Sequence, residues 1–510
     1  GIGGRDHSRH PTAPGGARED AIVSDERRGG VGRERLDARV LVMAGVVVLG
    51  GLMSILDTTV VNVALETFQR EFDATSAQVA WTMTAYTLAL AAVIPLTGWA
   101  ADRFGTRRLY LLAIVLFSLG SALCATATTL EMLVGFRVLQ GLGGGMLMPL
   151  GMTILTRAAG PERVARVMAI MGVPMLLAPV FGPIVGGWLI DFASWHWIFL
   201  VNVPVGLAAL VYAALVLPRE RVRSSETLDI VGLLLLSPGL ACLLFGVSMI
   251  PEQGTVLAAK VIAPALIGAA LIGGFIPWAL RRRNRHPLIE LRLFLNRNLT
   301  AAVIAMFMFA AAFFGAILLL PLYFQQVRAE DAFHTGLLLA PQGIGAMITM
   351  PIAGTLADRI GPGKVVMSGL AIITLGMASF TQLGADTPHV RILAGLFVVG
   401  LGMGCTMMPT MAAALATLTD RNIARGSTLM NIVQQTAAST GTAVFSVVLT
   451  SRVSGISATD PAAALSQEAS AFAGVFILAV VLVAACLIPA SFLPRTAPRA
   501  PVDPLGEPDD

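Results

Sequence analysis

Long apolar runs, separated by short polar stretches, dominate the pattern of residues along this 510-residue chain. Each run is long enough to cross a hydrocarbon core of about 30 Å as a helix that rises 1.5 Å per residue. The pattern therefore predicts an all-α membrane protein with fourteen transmembrane helices. They are expected near 40–65, 79–100, 109–127, 131–155, 165–190, 197–217, 228–250, 256–280, 299–324, 335–357, 363–384, 389–417, 427–450 and 470–493.

Two parts of the chain repeat each other, which indicates an internal duplication. GWAADRFGTRRLYL begins at Gly98 and GTLADRIGPGKVVM begins at Gly354, an offset of 256 residues. GLGGG at 141–145 likewise matches GLGMG at 400–404. Both matches keep the same membrane side, which is typical of a parallel duplication of six-helix halves.

The duplication divides the chain into predicted units. Two six-helix bundles are expected at 40–217 and 299–493, with the two extra helices at 228–280 between them as a linker. Residues 1–39 are rich in glycine and arginine and predict a disordered cytoplasmic tail, and 494–510 predict a second, short cytoplasmic tail. None of these units is a soluble domain large enough to hold an independent active site.

Composition and charge narrow the class of protein. The chain is 55% hydrophobic and 13% charged, whereas soluble domains carry about 25% charged residues. Its net charge of +4 does not indicate nucleic-acid binding, because the basic residues lie between apolar runs and on no single face. Four separate cysteines and the lack of a nucleotide loop, nucleophile elbow or metal cluster in the sequence predict no enzyme, no cofactor and no metal site.

Lysine and arginine predict the orientation. With the N-terminus in the cytoplasm, nineteen of these residues fall in cytoplasmic loops and five fall on the opposite side. This is the positive-inside distribution. We therefore expect a multi-pass protein of the bacterial cytoplasmic (inner) membrane, with both termini cytoplasmic.

One acidic residue lies deep in the first apolar run. Asp57, in the stretch SILDTTVVNVAL, is about 24 Å from the inner end of its helix, and Arg137 is about 9 Å from the outer end of the fourth helix. Both therefore lie at similar depth in the outer half of the membrane and can pair. Burial favours the neutral form of a carboxyl group and a guanidinium favours its ionised form. If the two helices move relative to each other, Asp57 can bind and release a proton; the alternative is a fixed structural ion pair.

The repeated loop motif predicts a contact that forms in one conformation and breaks in another. Asp102 and Arg103 lie at a glycine-flanked turn, and Asp358 and Arg359 are their counterparts in the second half. The alternative is a turn whose charges only fix topology. The residues assigned to this predicted latch are Gly98, Asp102, Arg103, Gly105, Arg107, Asp358 and Arg359.

Two further groups of residues have both a functional and a structural interpretation. Glycines and prolines in the fifth helix allow this helix to bend and to pack closely against its neighbours, and their spacing alone does not indicate a function. Polar residues of the thirteenth helix and methionines of the fourth suit an adaptable substrate cavity, or only join and fill helices. The cavity candidates are Asn62, Met146, Met148, Asn431, Gln434 and Gln435.

Five motifs in order resemble one known family over roughly residues 40–493. They are LDTTVVNVAL at 56–65, GWAADRFGTRR from Gly98, RVLQGLGGG at 137–145, GPIVGG at 182–187 and SWHWIFLVNVPVG at 194–206. This combination resembles the major facilitator superfamily, and within it the fourteen-helix drug:proton antiporters of the EmrB/QacA type. The resemblance implies the major facilitator fold and assigns Gly182, Pro183, Gly186 and Gly187 to an antiporter motif.

The resemblance also implies a function. It predicts export of lipophilic, often cationic, drugs by alternating access, driven by the proton gradient with no cofactor, and hence antibiotic resistance. A dedicated exporter of one metabolite, lipid, siderophore or self-made antibiotic is the first alternative, and a non-transporting membrane sensor is the second. The expected partners are protons, a small molecule and the lipid bilayer, but no nucleic acid; the oligomeric state is open and a monomer is allowed.

Overall fold

Every regular element in the described part of the chain is a helix. The computed structural model describes residues 38–160, 163–219, 227–253, 257–281, 287–330, 332–416, 418, 420–453 and 461–495. Almost all of the two predicted tails therefore lies outside the described residues. Within them we number the long helices in chain order, and several of them are accompanied by a short helical segment.

The first six long helices form the part of the chain predicted as the first bundle. A single turn, Trp197–Leu200, directly precedes the sixth. They are α1 Ala38–Glu71, α2 Ser76–Phe104, α3 Thr106–Cys124, α4 Leu130–Ala159, α5 Val164–Phe192 and α6 Asn202–Val216.

The remaining eight long helices follow the same order as the predicted spans. Short segments continue α9 (Leu319–Gln326), α12 (Met407–Leu415) and α14 (Leu487–Ala490). The eight are α7 Ile230–Ser248, α8 Ala259–Leu280, α9 Arg297–Ala316, α10 Ala332–Ile360, α11 Pro362–Ala378, α12 His389–Gly404, α13 Asp420–Val453 and α14 Pro461–Ala485.

Length and composition make this a multi-pass membrane protein. In the described residues, thirteen helices are long and apolar enough to cross a bilayer. The remaining long helix, α5, has 29 residues and lies where the fifth span is predicted. The predicted all-α membrane fold is confirmed, and the predicted count of fourteen is compatible with this arrangement.

The repeated loop motif has the same backbone conformation in both copies. Gly105 ends α2 and begins the turn into α3 with φ 86°, and Gly361 occupies the matching place between α10 and α11 with φ 93°. Side chains with a Cβ rarely adopt these angles, so glycine is the residue that permits this turn. The turn places the acidic ends of α2 and α10 in equivalent positions.

The second repeated motif lets three helices pack closely. In α4, Gly141 lies against the backbone of α2 at Tyr86, and Gly143 lies against the backbone of α3 at Phe117. The matching residues of α12, Gly400 and Gly402, lie in the same way against the backbones of α10 and α11. A larger residue at these positions would push the neighbouring helix away. The motif therefore fixes the core of each half.

The two halves meet through four helix pairs. They are α2 with α13, α4 with α13, α5 with α10, and α5 with the segment that continues α12. The extra helix α7 packs against α8 and also against both α2 and α13. It therefore contacts one helix from each half, and near one end Trp81 of α2 stacks on Phe245 of α7 at 5.6 Å.

Candidate functional site

The acid and the base predicted to lie at similar depth form an ion pair. Asp57 of α1 is 2% exposed and Arg137 of α4 is completely buried. Arg137 Nη1 lies 2.5 Å from Asp57 Oδ2 and donates a hydrogen bond to it. The pair is therefore buried and in direct contact.

Two amide side chains complete the surroundings of the carboxylate. Gln140 Nε2 donates to Asp57 Oδ1 at 2.7 Å, and Asn202 Nδ2 donates to the same oxygen at 3.1 Å. Gln140 also accepts a hydrogen bond from Arg137 Nη1 through its Oε1, at 2.8 Å. Asn202 is in turn held by Ser121 Oγ at 3.1 Å. The carboxylate thus receives three hydrogen bonds from side chains of α4 and α6.

The guanidinium of Arg137 is held on its other sides by α2. Its Nε donates to the carbonyl oxygen of Thr82 at 3.2 Å, and its Cζ lies 4.1 Å from the centre of the Tyr86 ring. The Tyr86 hydroxyl lies 2.9 Å from Ser54 Oγ on α1. A cation above an aromatic face is stabilised by the ring electrons. These contacts fix the orientation of the arginine.

Such a network is stable only as a complete unit. Taking two charges into a low-dielectric interior costs several kcal/mol per ion, and this cost is offset only when both partners and their remaining donors are satisfied. Here a carboxylate and a guanidinium from different helices share the amide of Gln140, and Asn202 donates to the carboxylate alone. We name Asp57, Arg137, Gln140 and Asn202 the charge network.

The loop aspartate of the first half contacts a helix of the second half. Asp102, at the end of α2, lies 3.4 Å from Arg157 of α4 and 3.8 Å from Arg425 of α13. Nearby, the hydroxyl groups of Thr97 and Thr428 are 3.0 Å apart and join the same two helices. We call this contact between α2 and α13 the first latch.

The loop aspartate of the second half makes the reciprocal contact. Asp358, at the end of α10, lies 3.8 Å from Arg166 Nε at the start of α5. Gly354 allows the α5 backbone at Ala165 to come close to α10. We call this the second latch. The sequences VAR ending at Arg166 and IAR ending at Arg425 match each other, so the two latches are copies of one contact.

Of the other residues assigned to the predicted latch, Gly98 lies at the first latch, whereas Arg107 makes a contact within the first half. Arg107 Nη2 donates to the carbonyl oxygen of Ala214 at 2.6 Å and so joins α3 to α6 within the first half. Arg103 is half-buried and Arg359 is exposed. Gly98 lies beside Thr428, with space for only a small residue.

The candidates for a substrate cavity are spread over three helices. Asn62 is exposed on α1, Met146 is buried in α4 and Met148 is half-buried near Gly51. Asn431 of α13 lies between the halves, with its Nδ2 3.2 Å from Met152 Sδ on α4. Gln434 and Gln435 of α13 are half-buried. The structure therefore brings Asn431 to the first half but does not gather all six candidates.

The glycines of the GPIVGG motif set the distance between α5 and α1. Gly182 lies against Thr59, and Gly186 lies against Val60. Gly187 faces open space, and Pro183 lies within α5 between these positions. The helix that carries Asp57 is thus packed closely against α5, two residues beyond the acid.

Five residues of the network and the latches escaped the sequence analysis: Gln140, Asn202, Arg157, Arg166 and Arg425. Gln140 could have been found, since it lies three positions after Arg137 and therefore on the same face of α4. Asn202 lies inside the motif SWHWIFLVNVPVG, but only folding brings it to Asp57. Arg166 and Arg425 are signalled by the repeat VAR and IAR, which lies outside the two repeats that the sequence analysis used.

Comparison with known proteins identifies the class. Residues 47–442 match the family model of the Major Facilitator Superfamily. The chain therefore belongs to this superfamily of membrane transporters, and it is not an enzyme.

Related sequences confirm the resemblance to the EmrB/QacA type. The chain is 49% identical over 494 residues to the multidrug resistance protein B homolog of Mycobacterium tuberculosis, with 91% of each chain covered. It is 31% identical over 421 residues to the multidrug export protein EmrB of Escherichia coli, with 82% of this chain and 81% of that protein covered.

Solved structures of lower sequence identity share the fold. The human organic anion transporter MFSD10 matches with a TM-score of 0.59 and 17% identity, covering 87% of this chain and 99% of that chain. The proton:xylose symporter XylE matches with a TM-score of 0.57 and 15% identity, covering 89% and 97%. At these identities the likeness concerns the fold alone.

Proposed function

We propose that this protein is a proton-coupled antiporter that exports lipophilic, often cationic, small molecules from the cytoplasm by alternating access. The observation that carries the proposal is the buried charge network around Asp57. The names of the related proteins, which refer to multidrug resistance and export, support the substrate class. The scheme places the protein in the bacterial cytoplasmic membrane with both termini inside, in agreement with the distribution of basic residues.

In this proposal Asp57 is the coupling acid. Its ionised form is stabilised by Arg137 and by the two amides, at 2.5 to 3.1 Å. A proton on the carboxyl group removes the charge that Arg137 faces, so the free energy of the network depends on protonation. A conformational equilibrium responds to a ligand, here a proton, when the two conformations bind it with different affinities.

The two latches would be the device that alternates access. Asp102 with Arg425 and Asp358 with Arg166 join the halves on the side predicted to be cytoplasmic. In this arrangement the halves are closed there, and opening toward the cytoplasm requires both contacts to break. Each half, 40–217 and 299–493, would then move as a unit, with 228–280 following.

Substrate would bind between the halves. Asn431, beside Met152, together with Gln434 and Gln435, offers hydrogen bonds next to the methionines of α4. Methionine side chains adapt to apolar molecules of different shapes. The gradient supplies enough energy, since one charge crossing 100 mV is worth about 2.3 kcal/mol, or roughly a fiftyfold gradient.

Purified protein in liposomes with an imposed pH gradient tests the proposal. Lumenal pH is followed on addition of ethidium, a monovalent lipophilic cation, for wild type and for Asp57→Asn. We expect substrate-evoked proton movement in wild type and none in Asp57→Asn. Glu131→Gln is the control, because Glu131 is an exposed acid on the same helix as Arg137.

Other outcomes point to other mechanisms. Proton movement that persists in Asp57→Asn would place the coupling acid elsewhere. No proton movement in wild type with any of a panel of drugs would contradict the multidrug assignment and favour a dedicated exporter or a sensor.

A further inference from the structure

One buried acid links the two extra helices, α7 and α8, where α7 begins and α8 ends. Asp229, 8% exposed, caps the start of α7 by accepting a hydrogen bond from the Gly232 amide at 2.8 Å. The same oxygen, Oδ1, accepts from Trp278 Nε1 near the end of α8 at 2.8 Å. One carboxylate therefore ties the beginning of α7 to the end of α8.

The second oxygen of this carboxylate reaches the segment 287–290, which comes after α8 in the chain. Asp229 Oδ2 accepts from the Leu288 amide at 3.3 Å. Leu288 and the next residue, Ile289, are each only 2% exposed. The backbone of this segment is therefore held by packing and by the carboxylate.

The last residue of the same segment, Glu290, contacts the first latch. Glu290, two residues after Leu288, lies with its Oε2 3.2 Å from Arg425 Nη1. Arg425 is the residue that also faces Asp102, and it is only 4% exposed. Arg425 thus donates a hydrogen bond to Glu290 and faces Asp102 as an ion pair at 3.8 Å, so the position of Glu290 affects how the guanidinium is oriented toward Asp102.

The two latches differ in this respect. At the offset of GLGGG and GLGMG, Ala416 stands in the second copy where Arg157 stands in the first. The first latch therefore includes an arginine that has no counterpart at the matching position of the second copy, and it is the one that Glu290 contacts. The helix α7 itself packs against α2 and α13, which are the two helices that the first latch joins.

We propose that Asp229 is a positioning residue through which the α7–α8 pair holds Glu290 against Arg425 and so sets how readily the first latch opens. The extra helices then influence the opening of the first latch and do more than link the two halves. This inference rests on the proposed alternating-access function, but its test does not require transport.

The two oxygens of Asp229 allow a selective variant. Asp229→Asn keeps an acceptor for Gly232 and Trp278, but it replaces the oxygen that accepts from Leu288 with an amide donor. Trp278→Phe is the matched control, since it removes a hydrogen bond of the same carboxylate within the helix pair and leaves the Leu288 contact in place. Asp229→Ser, which retains a capping oxygen, replaces Asp229→Asn if that variant does not fold.

A single cysteine reports opening of the first latch. Thr428 is 1% exposed and faces Thr97 across the α2–α13 contact, so Thr428→Cys reacts with N-ethylmaleimide only when these helices separate. Purified full-length protein in detergent is used, and peptide mass spectrometry reads position 428 separately from the four native cysteines. The rate is measured in the Thr428→Cys background for each variant.

We expect Asp229→Asn to raise the modification rate about twofold to tenfold, the range for loss of one hydrogen bond. Glu290→Gln should raise it similarly, and the double variant should add little, because both act through one contact. Trp278→Phe should leave it unchanged.

An unchanged rate in Asp229→Asn, an equal rise in Trp278→Phe, or additive effects of Asp229→Asn and Glu290→Gln would each overturn the inference. These modification rates do not depend on Asp57. The proposed proton coupling can therefore fail while this inference holds, and this inference can fail while the proton coupling holds.

Discussion

Arg166 and Arg425 occupy matching positions in two repeated helices, and each lies beside the loop aspartate of the opposite half. The duplication has therefore produced two reciprocal contacts, α2 to α13 and α10 to α5. A contact between halves, unlike one within a half, must change if the halves move. This relationship is the basis for a direct test of alternating access.

Joining α2 to α13 covalently should stop transport. Thr97 and Thr428 hydroxyl groups are 3.0 Å apart, so cysteines at both positions are close enough for a disulfide. We expect Thr97→Cys/Thr428→Cys to lose substrate export after mild oxidation and to regain it with dithiothreitol. Each single cysteine variant is the control and should be insensitive to oxidant. Full export by the crosslinked protein would contradict the assignment of α2 and α13 to a moving contact.

Removing one charge of the buried pair should cost more than removing both. Arg137→Leu leaves Asp57 buried beside its amides without its cation, and we expect a loss of about 3–5 kcal/mol in the free energy of unfolding. Adding Asp57→Asn should recover part of that loss, because the uncompensated charge disappears. Unfolding of purified protein in mixed micelles measures both variants.

The control for this pair is an arginine outside the network. Arg219→Leu, at an exposed position after α6, should change the free energy of unfolding by less than about 0.5 kcal/mol. Strictly additive costs of Asp57→Asn and Arg137→Leu would show that the two side chains do not depend on each other.

The close approach of α5 to α1 should be sensitive to a single methyl group. A Cβ at position 182 would collide with Thr59, so Gly182→Ala should destabilise the protein by about 1–3 kcal/mol and reduce export. Gly187→Ala is the matched control, because nothing lies within 4 Å of a Cβ there. Melting temperature and export rate are compared for the two variants. Equal melting temperatures and export rates for the two variants would mean that Gly182 does not set the distance between α5 and α1.

The rate of export should depend on the charge of the substrate. The charge network holds one carboxylate, Asp57, which can balance one positive charge in exchange for one proton. We expect ethidium, a monovalent cation, to be exported well and propidium, a divalent cation, to be exported at least about tenfold more slowly, the factor that corresponds to 1.4 kcal/mol of binding energy. Uptake into inverted vesicles at equal concentrations measures this ratio, and equal rates would refute the single-acid model.

The sequence predicted the spans well because each apolar run must be long enough to cross the membrane. It predicted helix ends poorly where a helix continues into polar residues. The predicted span at 427–450 corresponds to α13, which begins at Asp420, so Arg425 was placed in a loop. A hydropathy pattern cannot distinguish a buried latch arginine from a loop charge. It also gave no sign of the breaks after α9 and α12, where the chain stays apolar.

The candidate site could be predicted only in part for a similar reason. Asp57 and Arg137 stand out because charge in an apolar run is costly, and equal depth made their pairing a natural expectation. Gln140 and Asn202 are neutral and cost less to bury, so the apolar pattern does not single them out, and only the spacing of Gln140 from Arg137 is a signal in the sequence. The role of Asn202 depends on which helices become neighbours of α6.

All of the described hydrogen-bond partners of Asp57 and Arg137 lie on helices of the first half, namely α2, α4 and α6 beside α1. In the proposed alternating-access function, a rocking movement of the halves would carry this group along intact and would not exchange its members. What changes for Asp57 would then be its access to water, as the gap between the halves opens on one face or the other. Hydration, rather than the separation of acid from base, would set the moment at which the proton is taken up or lost.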